Sequence, residues 1–173
     1  MAVTKIRREL ETKWVSYYMA ATYPESEVRF KVPLGPIPRA VTDSYGFTVG
    51  MRVYRPWRPE VDAAAKWFNK TVIVEAKVFK YMDGLSKLPV YKSLVPKTPE
   101  LKGWPAKIIM ELLIPADIPW VKSAAVDLDV KVVTNFVPGY IKEAWEQRDK
   151  YWTKEAVEAR DKRKEKMREL GFE

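Results

Sequence analysis

Asp62 stands on one side of Asn69 and Lys70, and an acid–x–lysine triplet, Glu75 and Lys77, stands on the other. Asn69 and Lys70 read as a two-residue turn between two strand-like runs, 61–68 and 71–79. Alternate residues of a strand share a face, so Glu75 and Lys77 point the same way. With that turn Phe68 pairs with Thr71, which sets Asp62 opposite Lys77 and Ala64 opposite Glu75, all on one side of the sheet. Two carboxylates within ~5 Å of each other resist joint ionisation unless a cation joins them. A divalent ion so held polarises a phosphate oxygen and acidifies water, while a neighbouring ammonium stabilises charge developing on phosphorus. The chemistry such a group suits is metal-assisted phosphodiester hydrolysis.

The triplet alone discriminates little, because Glu11 with Lys13, Glu100 with Lys102 and Asp129 with Lys131 repeat it. What sets Glu75 apart is its hairpin. One face carries Val61, Ala63, Ala65 and Trp67 against Val72, Val74, Ala76 and Val78, wholly apolar and therefore core. The other gathers Glu60, Asp62, Lys66, Glu75 and Lys77, flanked by Ile73 and Phe79. Asp127, Asp129 and Lys131 are the rival group, but no hairpin partner with an acid in register precedes them. The plain alternative is that the charged face is only the solvated side of a hairpin.

The elements around this hairpin follow from periodicity and punctuation. Residues 4–21 read as a helix, capped by Thr4, with Ile6, Leu10, Trp14, Tyr17 and Tyr18 near helical spacing, ended by Tyr23 and Pro24. A strand is expected over 27–32, a loop over 36–44 and a further strand over 45–54, loosened by Gly46 and Gly50. After Asp83 and Gly84 a short helix runs through Leu85, Leu88, Tyr91, Leu94 and Val95, followed by a Pro-rich loop over 97–105. Strands are expected over 107–114 and 130–137, with a helix over 119–125 between them. A long charged helix over 140–170 turns Ile141, Trp145, Trp152 and Val157 inward and stops at Gly171. The sum is an α/β domain: a single mixed central sheet flanked by helices, with a long C-terminal helix. Residues 1–140 form the core unit and 141–173 the charged helix.

Composition narrows the chemistry. The chain has 173 residues, no Cys and no His, which excludes thiol and imidazole catalysis and any imidazole or thiolate metal site. Carboxylates, carbonyls and water remain as ligands, and these favour magnesium or manganese. No apolar run approaches ~18 residues and the basic N-terminus lacks a signal core, so a soluble cytoplasmic protein without a membrane partner is expected. The net charge is +8, and residues 142–169 hold ten Lys/Arg against eight Asp/Glu, so most of the excess lies on the body. That distribution favours a polyanionic partner met by a basic face. Beyond about Arg160 the last helix is expected either to project into solvent or to form a contact between copies of the chain, and its interleaved charges do not suit a nucleic-acid arm.

These residues resemble the PD-(D/E)XK nuclease superfamily, whose pattern is an acid on one strand, often after proline, then Glu-x-Lys on the next. Arg58, Pro59, Glu60, Val61 and Asp62, then Glu75, Ala76 and Lys77, stand in those places. The order of elements over 4–140 is also similar, including the helix before the hairpin and the helix and strand after it. The resemblance implies a restriction-endonuclease-like fold and magnesium- or manganese-dependent hydrolysis of DNA. Asp62 and Glu75 would hold the metal and Lys77 would be the catalytic lysine. The departure is at Pro59, which is followed by Glu60 rather than Asp; Glu60 is the alternative acid, and Glu9 or Glu11 could add one from the first helix. Lys66, Lys80, Lys87 and Lys92 are the candidate contacts to a phosphate backbone. The competing expectations are a structural or assembly protein on the same fold, with the charges inert, and a nucleic-acid-binding module relying on the basic body.

Overall fold

The computed structural model describes residues 2–147 and 154–169. Its centre is one five-stranded sheet in the order β1 (Glu27–Pro33), β2 (Glu60–Trp67), β3 (Lys70–Ala76), β4 (Lys107–Leu113) and β5 (Val130–Val133). The first three strands are antiparallel and the last three parallel, so β3 is where the sheet changes sense. A parallel neighbour cannot be reached by a tight turn. Helices α4 (Tyr81–Leu94) and α5 (Pro119–Asp127) make the crossovers from β3 to β4 and from β4 to β5.

Both faces of the sheet are covered. Helix α1 (Ala2–Thr22) lays Trp14, Val15, Tyr18 and Met19, one helical stripe, on Ala63, Ala65, Val72, Val74 and Ala76. Helix α6 (Gly139–Glu146) joins this layer through Ile141. On the opposite face Leu85, Leu88 and Tyr91 of α4 and Val121 and Ala125 of α5 pack on Ala64, Ile73, Met110 and Leu112. The result is an α/β domain of three layers with its sheet in the middle.

Three expectations change. The segment expected to be loop and then strand is a helical hairpin, α2 (Arg39–Tyr45) and α3 (Phe47–Tyr54), closed by a 3₁₀ turn, Arg55–Trp57. Gly46 joins the two helices at φ 71°, a conformation that suits a residue without Cβ. The β-branched and aromatic residues there have no sheet strand to pair with, so local hydrogen bonding wins over strand propensity. The Pro-rich stretch holds two further 3₁₀ turns, Val95–Lys97 and Pro99–Leu101. The C-terminal region contains α6 and α7 (Lys154–Glu169), and Trp152, expected to face inward, lies outside the described residues.

The hairpin register also differs. Trp67 pairs with Lys70 and Ala63 with Val74, so the turn is Phe68 and Asn69, with Phe68 at φ 49°. The turn sits one residue earlier than expected, so each residue of β3 moves by two positions against β2. A two-residue slip preserves faces where a one-residue slip would invert them. Glu75 and Lys77 therefore keep their common side, and the register sets Asp62 opposite Glu75 rather than Lys77.

Candidate active site

The site lies at the end of the sheet where β2 and β3 part. The β2–β3 ladder stops at Ala63 and Val74, and two side chains take over the backbone groups beyond it. The Ala76 amide donates to Asp62 Oδ2 at 3.0 Å, and the Asp62 amide donates to Glu75 Oε2 at 3.4 Å. Lys77 continues along β4 instead, its amide donating to the Leu113 carbonyl. Asp62 and Glu75 thus fill the fork between two diverging strands, which explains how charged residues reach this depth without unsatisfied backbone.

Lys31 helps open the fork. It takes φ 50° within β1, a conformation uncommon for a residue with a long side chain. The regular alternation breaks there: Val32 and Val61 turn toward the α4–α5 core, whereas Ala63 and Ala65 face α1. Val61 therefore leaves the apolar row that simple alternation assigns it. Lys31 Nζ reaches Asp62 Oδ1 at 2.6 Å.

Around this fork the charges pair closely. Lys77 Nζ donates to Glu75 Oε1 at 2.6 Å, and Glu75 is only 3% exposed. Burial, with the Asp62 charge added, pushes the Glu75 carboxyl up to about 7, against the opposing pull of Lys77. Burial alone would lower the Lys77 ammonium, but Glu75 and Asp62 outweigh it and hold the group above its ordinary value. Two carboxylates share this one buried ammonium, so Glu75 is the group driven toward neutrality. Glu11, from α1, accepts the Val78 amide at 3.0 Å and seals the end of β3.

Glu9, Glu11, Thr12, Lys13, Lys31, Glu60, Asp62 and Lys77 line a cleft of about 710 Å³ over the fork, and Glu75 lies deeper. The main triad and all three alternative acids, Glu60, Glu9 and Glu11, are therefore grouped. Glu60 is drawn to Arg55 at 3.0 Å, and its carbonyl accepts the Tyr91 hydroxyl. Lys66 is not part of the group. It stands at the hairpin end of β2, opposite Thr71 and Glu27, because the middle of that face is buried under α4 and α5 rather than open and polar. Lys80 is exposed just before α4, Lys87 pairs with Asp83 at 2.8 Å, and Lys92 pairs with Asp129 at 2.8 Å.

The rival triplet is dispersed: Asp127 ends α5, Asp129 lies in the turn with Lys92, and Lys131 Nζ meets the buried Glu111 at 2.7 Å. Sequence reasoning missed Lys31 and Glu111. Lys31 carried a usable signal, since it faces Asp62 if β1 pairs with β2 as a meander. Glu111 sits in an apolar run, and nothing in its neighbours announces that the Tyr18 hydroxyl will donate to it at 2.8 Å.

Among the described residues no group of three or more Asp and Glu side chains stands together as a ready metal cage. No helix among them is long and apolar enough to cross a membrane. Compared with known proteins, the chain matches no family model, no curated protein sequence and no solved structure.

Proposed function

We propose that this chain is a magnesium- or manganese-dependent nuclease of the PD-(D/E)XK type, hydrolysing phosphodiester bonds of DNA at the fork between β2 and β3. The observation that carries this reading is the convergence of Asp62, Glu75 and Lys77 beneath one cleft, with an excess of buried carboxylate over buried ammonium. Glu75 is driven toward neutrality by burial and by Asp62, which is the electrostatic condition a divalent cation relieves. The donors are all oxygen, as a hard ion requires, and magnesium is commonly held by one or two carboxylates together with water and substrate phosphate. Asp62 and Glu75 are the residues that would hold it, and when bound it would polarise the scissile phosphate and acidify water.

The rest of the chemistry falls to the chain's own groups. Lys77 is held charged, so its role is to stabilise negative charge developing on the phosphate rather than to remove a proton. Lys31 and Lys13 on the cleft wall offer cations to the entering backbone. Glu11 keeps the end of β3 in place by bonding the Val78 amide and so fixes where Lys77 emerges. The test is cleavage of single- and double-stranded DNA with magnesium or manganese. Asp62→Ala and Lys77→Ala should each reduce the rate by about two orders of magnitude or more. Cleavage by both variants at the parent rate would refute the assignment.

A second reading has its own observation. Lys31 with Asp62 and Lys77 with Glu75 form ion pairs that neutralise the cluster without a metal, as an assembly protein on this fold would need. On that reading magnesium and manganese bind no more tightly to the parent than to Asp62→Asn.

A further inference from the structure

The insertion between β1 and β2 contributes no side chain to the lining of the cleft. Helices α2 and α3 pack on each other, with Gly50 against Val41, and the 3₁₀ turn Arg55–Trp57 leads back to the sheet. Its side chains face outward to an unusual degree. Tyr45, Phe47, Val49 and Val53 are each about half exposed, and Trp57 is 77% exposed. Five such side chains between Tyr45 and Trp57 are a concentration of exposed apolar surface, with Phe47 beside the Pro-rich stretch after α4 and Trp57 on the turn that leads into β2.

Two observations specify the occupant. Arg39, Arg52 and Arg55 stand in the same segment against a single acid, Asp43; Arg39 pairs with Asp43 and Arg55 with Glu60, while Arg52 is exposed, so the segment is basic as well as aromatic. Flat rings interleaved with guanidinium groups match nucleobases strung on phosphates better than they match an apolar protein face. The insertion is also fixed to the mouth of the cleft. Arg55 bonds both Glu60 and the Lys31 carbonyl, and Trp57 precedes Glu60 by three residues, which keeps their Cα atoms within ~10 Å. Ring faces can stack only on bases that are free of a partner strand.

We propose that residues 39–57 form a clamp for single-stranded nucleic acid, with Trp57 and Phe47 stacking on unpaired bases and Arg52 meeting the backbone. The clamp rests on the nuclease reading for what it delivers, a single strand fed along the Arg55–Glu60 contact into the cleft over Asp62. It makes the substrate a flap, end or unwound segment rather than continuous duplex.

The experiment measures binding separately from cleavage. Fluorescence anisotropy of a labelled oligothymidylate, and of a duplex of equal length, is recorded in chelator with parent, Trp57→Ala, Phe47→Ala and Arg52→Gln. The single strand is expected to bind more tightly than the duplex. Each aromatic variant should weaken it about fivefold or more, in keeping with the usual worth of one stacked base. Arg52→Gln should flatten its salt dependence. Trp57 is solvent-exposed, so an unchanged melting temperature in Trp57→Ala shows that the loss is local. Equal affinity for duplex and single strand, or no change in Trp57→Ala, overturns the clamp. So does a patch whose loss alters only self-association. Clamp binding without cleavage under any divalent ion removes the nuclease reading alone, and cleavage of single strands unaffected by Trp57→Ala removes the clamp alone.

Discussion

Lys31 Nζ lies 2.6 Å from Asp62 Oδ1, with the Lys31 backbone at φ 50°. An ammonium therefore occupies one oxygen of the acid that would bind a metal, and it is delivered from an edge strand by an uncommon backbone conformation. Lysine and a divalent ion then compete for Asp62. The Lys31 side chain is 37% exposed, so the pair is worth about 1 kcal/mol or less, which corresponds to about fivefold in affinity. Lys31→Met, which keeps the length of the stem, should tighten manganese binding by roughly that factor in calorimetric titration. Unchanged affinity would show that Asp62 is not a ligand.

The Glu75 carboxyl sets a pH dependence for the metal-free protein. Its pKa rises from 4.5 to about 7 on folding, so between those values the folded state holds the extra proton. Unfolding free energy then falls as pH rises through this window, and the contribution of Glu75 is greatest below pH 4.5. In chelator, Glu75→Gln should remove this slope, since the amide keeps the shape and carries no charge. Urea unfolding across the window reads it directly: parallel curves for parent and variant would mean that Glu75 is not strained by its neighbours.

Much of this arrangement could be read from residue types. The Val72, Ile73 and Val74 run marks a strand buried on both faces, and the turn residues around Asn69 mark a hairpin. A slip of two leaves the shared face of Glu75 and Lys77 unchanged, and the bonds of Asp62 and Glu75 to the parting backbones bring Asp62 to them. Within a regular ladder faces depend on parity, whereas opposition depends on which residues accept positive φ, and Phe68 is an improbable choice for that. The helical hairpin was hidden for a related reason. Phe47, Val49 and Val53 have strand-like propensities, but β1 pairs directly with β2, and the intervening segment never enters the sheet. The Lys31 bend was equally hidden, because it reverses the alternation on which reasoning about faces rests.

Arg58 should prove indispensable for stability. Its buried guanidinium donates to both Glu100 oxygens, at 2.6 and 2.7 Å, and to the carbonyls of Pro33 and Gly35, each at 2.8 Å. It fastens the end of β1, two residues past Lys31, to the 3₁₀ turn Pro99–Leu101. Arg58→Ala leaves that carboxylate and two carbonyls without their donor, at a cost of about 3–5 kcal/mol. Lys at this position should recover little, because one ammonium cannot reproduce the planar fork. Denaturant midpoints of the two variants within experimental error of the parent would show the network to be dispensable.

Gly84 links the core to the site without contributing a polar group. A Cβ at this position would stand 2.6 Å from Leu112 Cδ1 and 3.0 Å from Lys77 Cγ. Alanine favours a helix over glycine by about 1 kcal/mol, but Leu112 is fully buried and has no room to retreat. Overpacking of this kind costs about 1–3 kcal/mol, so the net change should be destabilising or close to neutral. The second contact matters more for function, because it pushes on the stem of Lys77. Gly84→Ala should therefore lower cleavage by about tenfold or more even at temperatures where the variant is fully folded, since small misplacements of a positioned group are costly. Leu112→Ala in the same chain opens space beside the new methyl and should restore part of the lost activity. A Gly84→Ala protein that is more stable than the parent and cleaves at its rate would show that α4 does not set the position of Lys77.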